Sequence, residues 1–452
     1  MNTQNVTDLF VQKIRAIDYQ SLPPEAIDMA KAVFLDGVAV ILAGSTEPLG
    51  VGRITSDYVR EMGGSEQASV MSGGFKTSML NAAYANGTMA HALDFDNTWY
   101  PLNHPTSPTL PAILAIAEFY KLSGAKVIES IAAAFEVQAR LRMAAISMGN
   151  GEAFHKPGMT GTFGACAAAC KLLDLDQEQS LMAFGIAGSR AGSLAINTGT
   201  MTKSSHSGHA ARMGVECGLL AKRGWTASAD VFGPKGFFDT FMHGIGKPEL
   251  LIEGFANPLR MVDPGVGFKK HPCNYFTHRP IDAALTLRKK YLFETKEISC
   301  VEILFPRFDY VDRAHPKTGL DGKFSVQYTT AIALLDGEIT IDSFTNERRF
   351  ASDVVEFLKC VKFVPDESIP ADFDQMYTVV TVILKNGKIY SQKVDKLSGW
   401  VGSPLSEAER LKKVFICTKR LLSDQNTLQL IGAVDQLDQL KNIDSIMDIV
   451  RC

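Results

Sequence analysis

The chain has 452 residues, a formal net charge of −3, and 46% hydrophobic against 21% charged residues. This is the composition of a globular protein with ample apolar material, long enough for two or three domains. The near-neutral balance and the lack of a long basic run argue against a general nucleic-acid or anionic-membrane binder, but a small anion needs only a few local cations.

The first twenty residues carry Asp8 and Asp18 and no apolar signal core. Leu9, Phe10, Ile14 and Ile17 fall on one helical face, so a globular amphipathic helix is expected rather than a secretion signal. No uninterrupted apolar run is long enough to span a bilayer, and a cytoplasmic location is expected. Eight scattered cysteines in a chain of this length form no disulfide framework. Cys166 and Cys170, one turn apart in an Ala-rich segment, suit core packing better than a metal site.

Up to residue 267 the pattern predicts helix after helix. Pro23-Pro24-Glu25 opens one that ends near Gly44. Residues 76–92 are small and apolar, as in a helix that lets neighbours come close. Ser107-Pro108 suits the cap and first turn of a helix over 107–122. Residues 125–147 and 160–196 are Ala-rich and read as interior helices, and sparse β-branched alternation leaves little room for strands. A Gly/Pro-punctuated stretch, Asp263-Pro-Gly-Val-Gly-Phe268-Lys269-Lys270-His271-Pro272, then marks a boundary. Beyond it Cys300–Phe305 alternates as a strand. Val379–Leu384 and Ile389–Val394 flank Asn386-Gly387 as a hairpin. Helices are predicted at 279–290, 324–335 and 347–359. The expected architecture is mostly α: a large all-helical domain over 1–267, a smaller α+β lid domain over 268–398, and C-terminal helices over 399–452 that return to the first domain.

Between two of these helices lies a stiff, polar stretch, residues 91–108, with His91, Asp94, Asp96, Thr98 and His104 and prolines at 101, 105 and 108. Loops held by rigid elements are where chemistry tends to sit. Three further polar clusters fall in loops or at helix ends: His155/Lys156 in the segment that starts at Gly151, Lys203/His206/His209, and Lys269/Lys270/His271. Each has a plain structural alternative. Asp94 and Asp96 can bond local backbone, and Lys269-Lys270 reads as a solvated pair. His206-x-x-His209 lacks a third ligand, so no metal is expected. No Gly-x-Ser-x-Gly elbow, Gly-x-x-x-x-Gly-Lys-Ser/Thr loop or strand-coupled Gly-x-Gly-x-x-Gly appears, which removes the usual hydrolase and nucleotide signatures. What remains suits a small di- or tricarboxylate. Lysines and helix N-termini would hold its carboxylates, and His or Asp would move a proton at carbon, with no organic cofactor.

Five segments resemble the MmgE/PrpD family, over nearly the whole chain. They are His91-Ala-Leu-Asp94-Phe-Asp96-Asn-Thr98-Trp99 with His104-Pro105, Phe154-His155-x-Pro157 with Thr160-Gly-Thr-Phe-Gly164, Thr202-Lys203-x-x-His206-x-Gly-x-Ala-Ala-Arg212, Phe268-Lys269-x-x-Pro272, and Phe324-Ser-Val-Gln-Tyr328. The resemblance implies a homodimer with its active site between a helical domain and a lid. It also implies proton transfer at the carbon of a small polycarboxylate. Decarboxylation of a cis-aconitate-like acid is the first expectation. Dehydration of a 2-methylcitrate-like acid, an iminodisuccinate-type epimerisation and a non-catalytic carboxylate-binding protein are the alternatives. Carried over by matching position, the catalytic residues are Asp94, His104, His155 and Lys203, and the substrate-binding residues are Thr98, Lys269 and, through Tyr310-Val-Asp-Arg313, Tyr310. The sequence departs from the family's decarboxylases at Cys273-Asn274, where a histidine is expected in place of Asn274.

Overall fold

In the computed structural model, residues 5–99, 101–145 and 153–452 are described. Tyr100 of the polar stretch, residues 146–147 of the expected 125–147 helix, and Gly151 and Glu152 before His155 lie outside them. Asn5 caps α1 (Val6–Arg15), accepting from the Asp8 N–H at 2.8 Å. Pro24 opens α2 (Pro24–Ser45), and α3 (Val51–Met62) follows. Then comes a small hairpin of β1 (Ala68–Val70) and β2 (Phe75–Thr77). The sequence had suggested helix alone here. Three-residue strands are too short to show alternation, and Ser72 and Gly74 make the turn with positive φ.

The heart of the first core is α4 (Met79–Ala92), α5 (Thr106–Tyr120), α6 (Gly124–Ala144), α7 (Lys156–Leu172), α8 (Gln177–Gly188) and α9 (Met201–Lys222). α4 and α9 cross almost backbone to backbone. A Cβ on Gly87 would sit 2.8 Å from the Gly208 Cα, so neither position accepts a side chain. α5 starts one residue before the expected cap. Pro105 takes the cap position, and the Ser107 hydroxyl lies 3.1 Å from the Ser207 hydroxyl, tying α5 to α9 instead. The expected helix over 160–196 is two helices. α7 begins earlier, at Lys156, and the Asp176/Gln179 capping box restarts the chain as α8, which ends at Gly188. A short α10 (Phe237–Phe241) completes this half.

A second core spans Cys273 to Trp400. Here α11 (His278–Tyr291) packs on a four-stranded sheet containing β3 (Ile298–Phe305). α12 (Gly319–Gly322) and α13 (Val326–Asp336) follow. The helix expected over 347–359 is broken into α14 (Asn346–Arg349), α15 (Ser352–Phe357) and a 3₁₀ turn. The break lets the chain enter β4 (Val361–Pro365) parallel to β3, with Val361 opposite Val301. β5 (Thr378–Leu384) and β6 (Ile389–Val394) form the hairpin on Asn386-Gly387, with Gly387 at φ +84°, and the sheet order is β4-β3-β5-β6. α16 (Glu407–Thr418) then lies against α2, where Val414 and Cys417 pack with Ala39, Val40 and Ala43. α17 (Asp424–Asp435) and α18 (Asp444–Val450) end the chain. Among the described residues no helix is long and apolar enough to cross a membrane.

Candidate active site

The C-terminus of α4 and the N-termini of α7 and α9 converge on one buried polar cluster. Leu93 is the C-cap of α4, and the next residue, Asp94, takes a left-handed backbone (φ +49°), which aspartate tolerates better than most residues. This turns its carboxylate, 2% exposed, into the interior. Lys269 Nζ lies 2.6 Å from Asp94 Oδ1, Lys203 Nζ 3.3 Å from Oδ2, and His104 Nε2 3.5 Å from Oδ1. Burial by itself would raise the Asp94 pKa, but Lys203 and Lys269 outweigh it and hold the carboxylate well below its usual range. Burial in turn lowers the Lys203 pKa, which Asp94 only partly offsets.

Thr98 explains how Lys269 reaches this point. Its N–H donates to the Gly267 carbonyl (2.9 Å), and the Gly267 N–H donates back (2.7 Å), pinning the boundary segment to the polar stretch. Two residues later Lys269, fully buried, projects over Asp94 rather than into solvent. The reading of Lys269-Lys270 as a solvated pair therefore fails for Lys269. Lys270 is half exposed and pairs with Asp282 at 3.1 Å. The Thr98 hydroxyl is buried and has no protein partner.

Behind Asp94 stands a second carboxylate. Asp96 Oδ1 lies 2.9 Å from His91 Nδ1, and Oδ2 lies 3.2 Å from His104 Nδ1. The His91 ring meets His104 at 4.7 Å and His155 at 5.4 Å between centroids, and His155 meets His206 at 5.1 Å. His155 caps α7 and donates its own N–H to the Ser193 carbonyl at 2.9 Å. Its Nδ1 lies 3.1 Å from His206 Nδ1. Burial takes His91 down to about 4 and, together with Lys203, His206 to about 4; His155 is likewise held well below the usual histidine value by burial and Lys203. At neutral pH these three imidazoles are uncharged.

Of the residues singled out from the sequence, Asp94, His104, Lys203 and Lys269 thus make direct contact, and His155 joins them through His91. Tyr310 is half-buried, and burial together with the Asp94 charge raises its hydroxyl pKa, so it lies within electrostatic reach of the site. Asn274 caps a 3₁₀ turn, accepting from the Phe276 N–H at 3.1 Å. Sequence reasoning passed over His91, Asp96 and His206 as structural or metal-like. A usable signal existed for His206, which is three residues after Lys203 and so shares its face of α9. It also missed Lys323 and Lys413, which stand beside the expected Lys269. Lys323 donates to the Ala92 carbonyl (3.0 Å), Lys269 to Asp94 (2.6 Å) and Lys413 of α16 to Phe95 (2.8 Å). Three cations from three distant stretches thus hold the carbonyls of the last residue of α4 and of the turn just beyond it.

His91, Asp94, Asp96 and His104 present ligand atoms within 4.8 Å of one another, close enough to surround a metal ion. Two buried ammonium groups already sit on Asp94, however, and would repel a dication at that carboxylate. The donor set fits an acid–base centre that holds anions better than it fits a metal centre.

The fold and cluster define a mostly helical protein with a closed, lysine- and histidine-lined acid–base centre at the ends of three helices. The MmgE/PrpD N-terminal domain model matches residues 9–249 and the C-terminal domain model residues 271–439, and the chain belongs to that family. Among similar curated proteins is a Mus musculus cis-aconitate decarboxylase, 29% identical, with the match covering 100% of this chain and 94% of the relative. An Aspergillus terreus cis-aconitate decarboxylase is 25% identical over 95% of this chain and 93% of its own. A Salmonella typhimurium 2-methylcitrate dehydratase is 27% identical over 60% of each.

Proposed function

We propose that this chain is a cofactor-independent lyase that decarboxylates a cis-aconitate-like acid. The observation that carries the reading is the convergence of two buried lysines, Lys203 and Lys269, on one carboxylate beside a chain of uncharged histidines. Loss of CO₂ leaves an electron pair on carbon. That charge must spread into a neighbouring carboxylate held by cations, and a proton must then quench it. Lys203, Lys269 and His104 hold the substrate's carboxylates, the free Thr98 hydroxyl donates to one of them, and Tyr310 closes the far wall. Asp94 orients the lysines. His155, uncharged in the free protein, is the proton donor at carbon.

Lys203 and Lys269 are 5% and 0% exposed, so substrate enters only if the cluster opens. The unit over 268–398, which contributes Lys269 and Tyr310, serves as the lid, with 1–267 and 399–452 as the body it closes on. The protein works in the cytoplasm as a homodimer, which light scattering checks by mass.

Dehydration of a 2-methylcitrate-like acid is the second reading. It is favoured by Asn274, which cannot serve as a histidine-type proton donor, and by the dehydratase relative. Proton and deuterium NMR on a panel of polycarboxylates in D₂O separates the outcomes. Carbon dioxide with a deuterated product supports decarboxylation. Water loss or gain alone supports dehydration, and deuterium exchange with inversion supports epimerisation. A panel that binds without turning over refutes the lyase reading.

A further inference from the structure

Replacing a carboxylate on carbon by hydrogen consumes one proton per turnover. The C–C bond breaks, CO₂ leaves, the electron pair stays on carbon, and the donor that quenches it must be recharged from water. Among the described residues, His206 is the imidazole within hydrogen-bond distance of His155. His206 sits one helical turn beyond Lys203 on α9, 6% exposed, with its Nδ1 3.1 Å from His155 Nδ1. Two neutral imidazoles at this distance share a single Nδ1 proton, one donating and the other accepting, so each fixes the other's tautomer.

We propose that His206 is a positioning and proton-supply residue for His155: through the Nδ1–Nδ1 hydrogen bond it keeps the His155 Nε2 as the protonated, substrate-facing nitrogen, and it stores the proton that His155 delivers. The pair carries three protons on its four nitrogens when loaded and two when spent. His155 Nε2 gives one to carbon, and one from water restores the pair. This rests on the decarboxylase reading above. Among the described residues, the titratable and charged groups that bear on the pair fit the scheme. Lys203 and His209 lie on the same helix, and His91 and His104 come from the α4–α5 side with Asp96 behind them and Asp94 beyond Lys203. The Lys203 ammonium opposes a positive charge on either ring. An arriving polycarboxylate that pairs with Lys203 removes that opposition, so the proton enters together with the acid.

The test uses tricarballylate, a saturated tricarboxylate that cannot lose CO₂ by this route. Calorimetric titration at neutral pH in two buffers of different ionisation enthalpy should show uptake of about one proton per acid bound. In His206→Gln, which can hydrogen-bond but not carry a proton, uptake should fall by more than half. Turnover of the reactive acid in that variant should fall about 100-fold, with KM within about threefold of wild type and a shifted kcat–pH profile. In His206→Ala, exogenous imidazole should restore turnover, with the circular dichroism spectrum reporting that each variant is folded. Failure of the wild type to bind any polycarboxylate overturns the decarboxylase reading instead. Binding without proton uptake, or a folded His206→Gln with the wild-type pH profile and rate, overturns the role of His206.

Discussion

Asp94→Asn is the most telling single substitution, because it keeps the shape of the side chain and removes only its charge. Lys269 Nζ at 2.6 Å and Lys203 Nζ at 3.3 Å then share a buried pocket without their counter-ion. At an effective dielectric constant of about 20, each lost attraction is worth about 5–6 kcal/mol. The full sum is not realised, since a lysine can shed its proton. From a reference pKa of about 10.4, doing so at pH 7 costs at most about 5 kcal/mol. Measured losses for broken buried pairs fall at about 3–5 kcal/mol, within that ceiling. Urea unfolding of Asp94→Asn should therefore show a loss of about 3–5 kcal/mol. If the same lysine charges hold the substrate, kcat/KM should drop about 100- to 1000-fold or more. Activity should also decline towards high pH, as the less stabilised lysine deprotonates. A variant that loses less than about 1 kcal/mol and stays within about tenfold of wild-type turnover would refute the account of Asp94 as the common counter-ion.

Lys413→Met removes an ammonium 2.7 Å from the buried carboxylate of Asp36 and 2.8 Å from the Phe95 carbonyl. It should cost about 3–5 kcal/mol in chemical denaturation, most of it recovered by adding Asp36→Leu, since the double variant leaves no unpaired charge. Stability should fall as the solution is acidified from about pH 6.5 to 4. In that window the unfolded chain binds protons on His91 and His206 that the native protein, with both held near 4, does not. Asp94 and Asp96, held below the usual carboxylate range, lose their contribution only at still lower pH. Urea midpoints measured across the window should flatten in His91→Gln. Exhaustive dialysis against a chelator should leave turnover unchanged, and a loss restored by one added metal would assign His91, Asp94, Asp96 and His104 to that ion.

Long periodic helices such as α2 and the Asn386-Gly387 hairpin are legible in the sequence because their signals are local. The β1–β2 hairpin is not, because its strands are shorter than the period needed to see them. β4 is not either, because its partner β3 lies about sixty residues away. The cluster divides along the same line. Asp94, His104 and Lys203 stand in a chemically dense pattern at helix ends. Nothing within a few residues of Lys269 distinguishes a buried ammonium from a solvated one, and its burial follows from the Thr98–Gly267 pairing across some 170 residues. His91 and Asp96 look like helix-end residues until His104 and His155 close around them.

The lysines that cap the end of α4 also set the timing of assembly. Lys413 reaches the Phe95 carbonyl across 318 residues of sequence, and Lys323 reaches Ala92 across 231. Contacts of such separation form late and carry the largest loop-closure cost. During synthesis, the turn that holds Asp94 lacks its last support until α16 has left the ribosome. A fragment ending before residue 407 should be a folded or partly folded helical body without turnover.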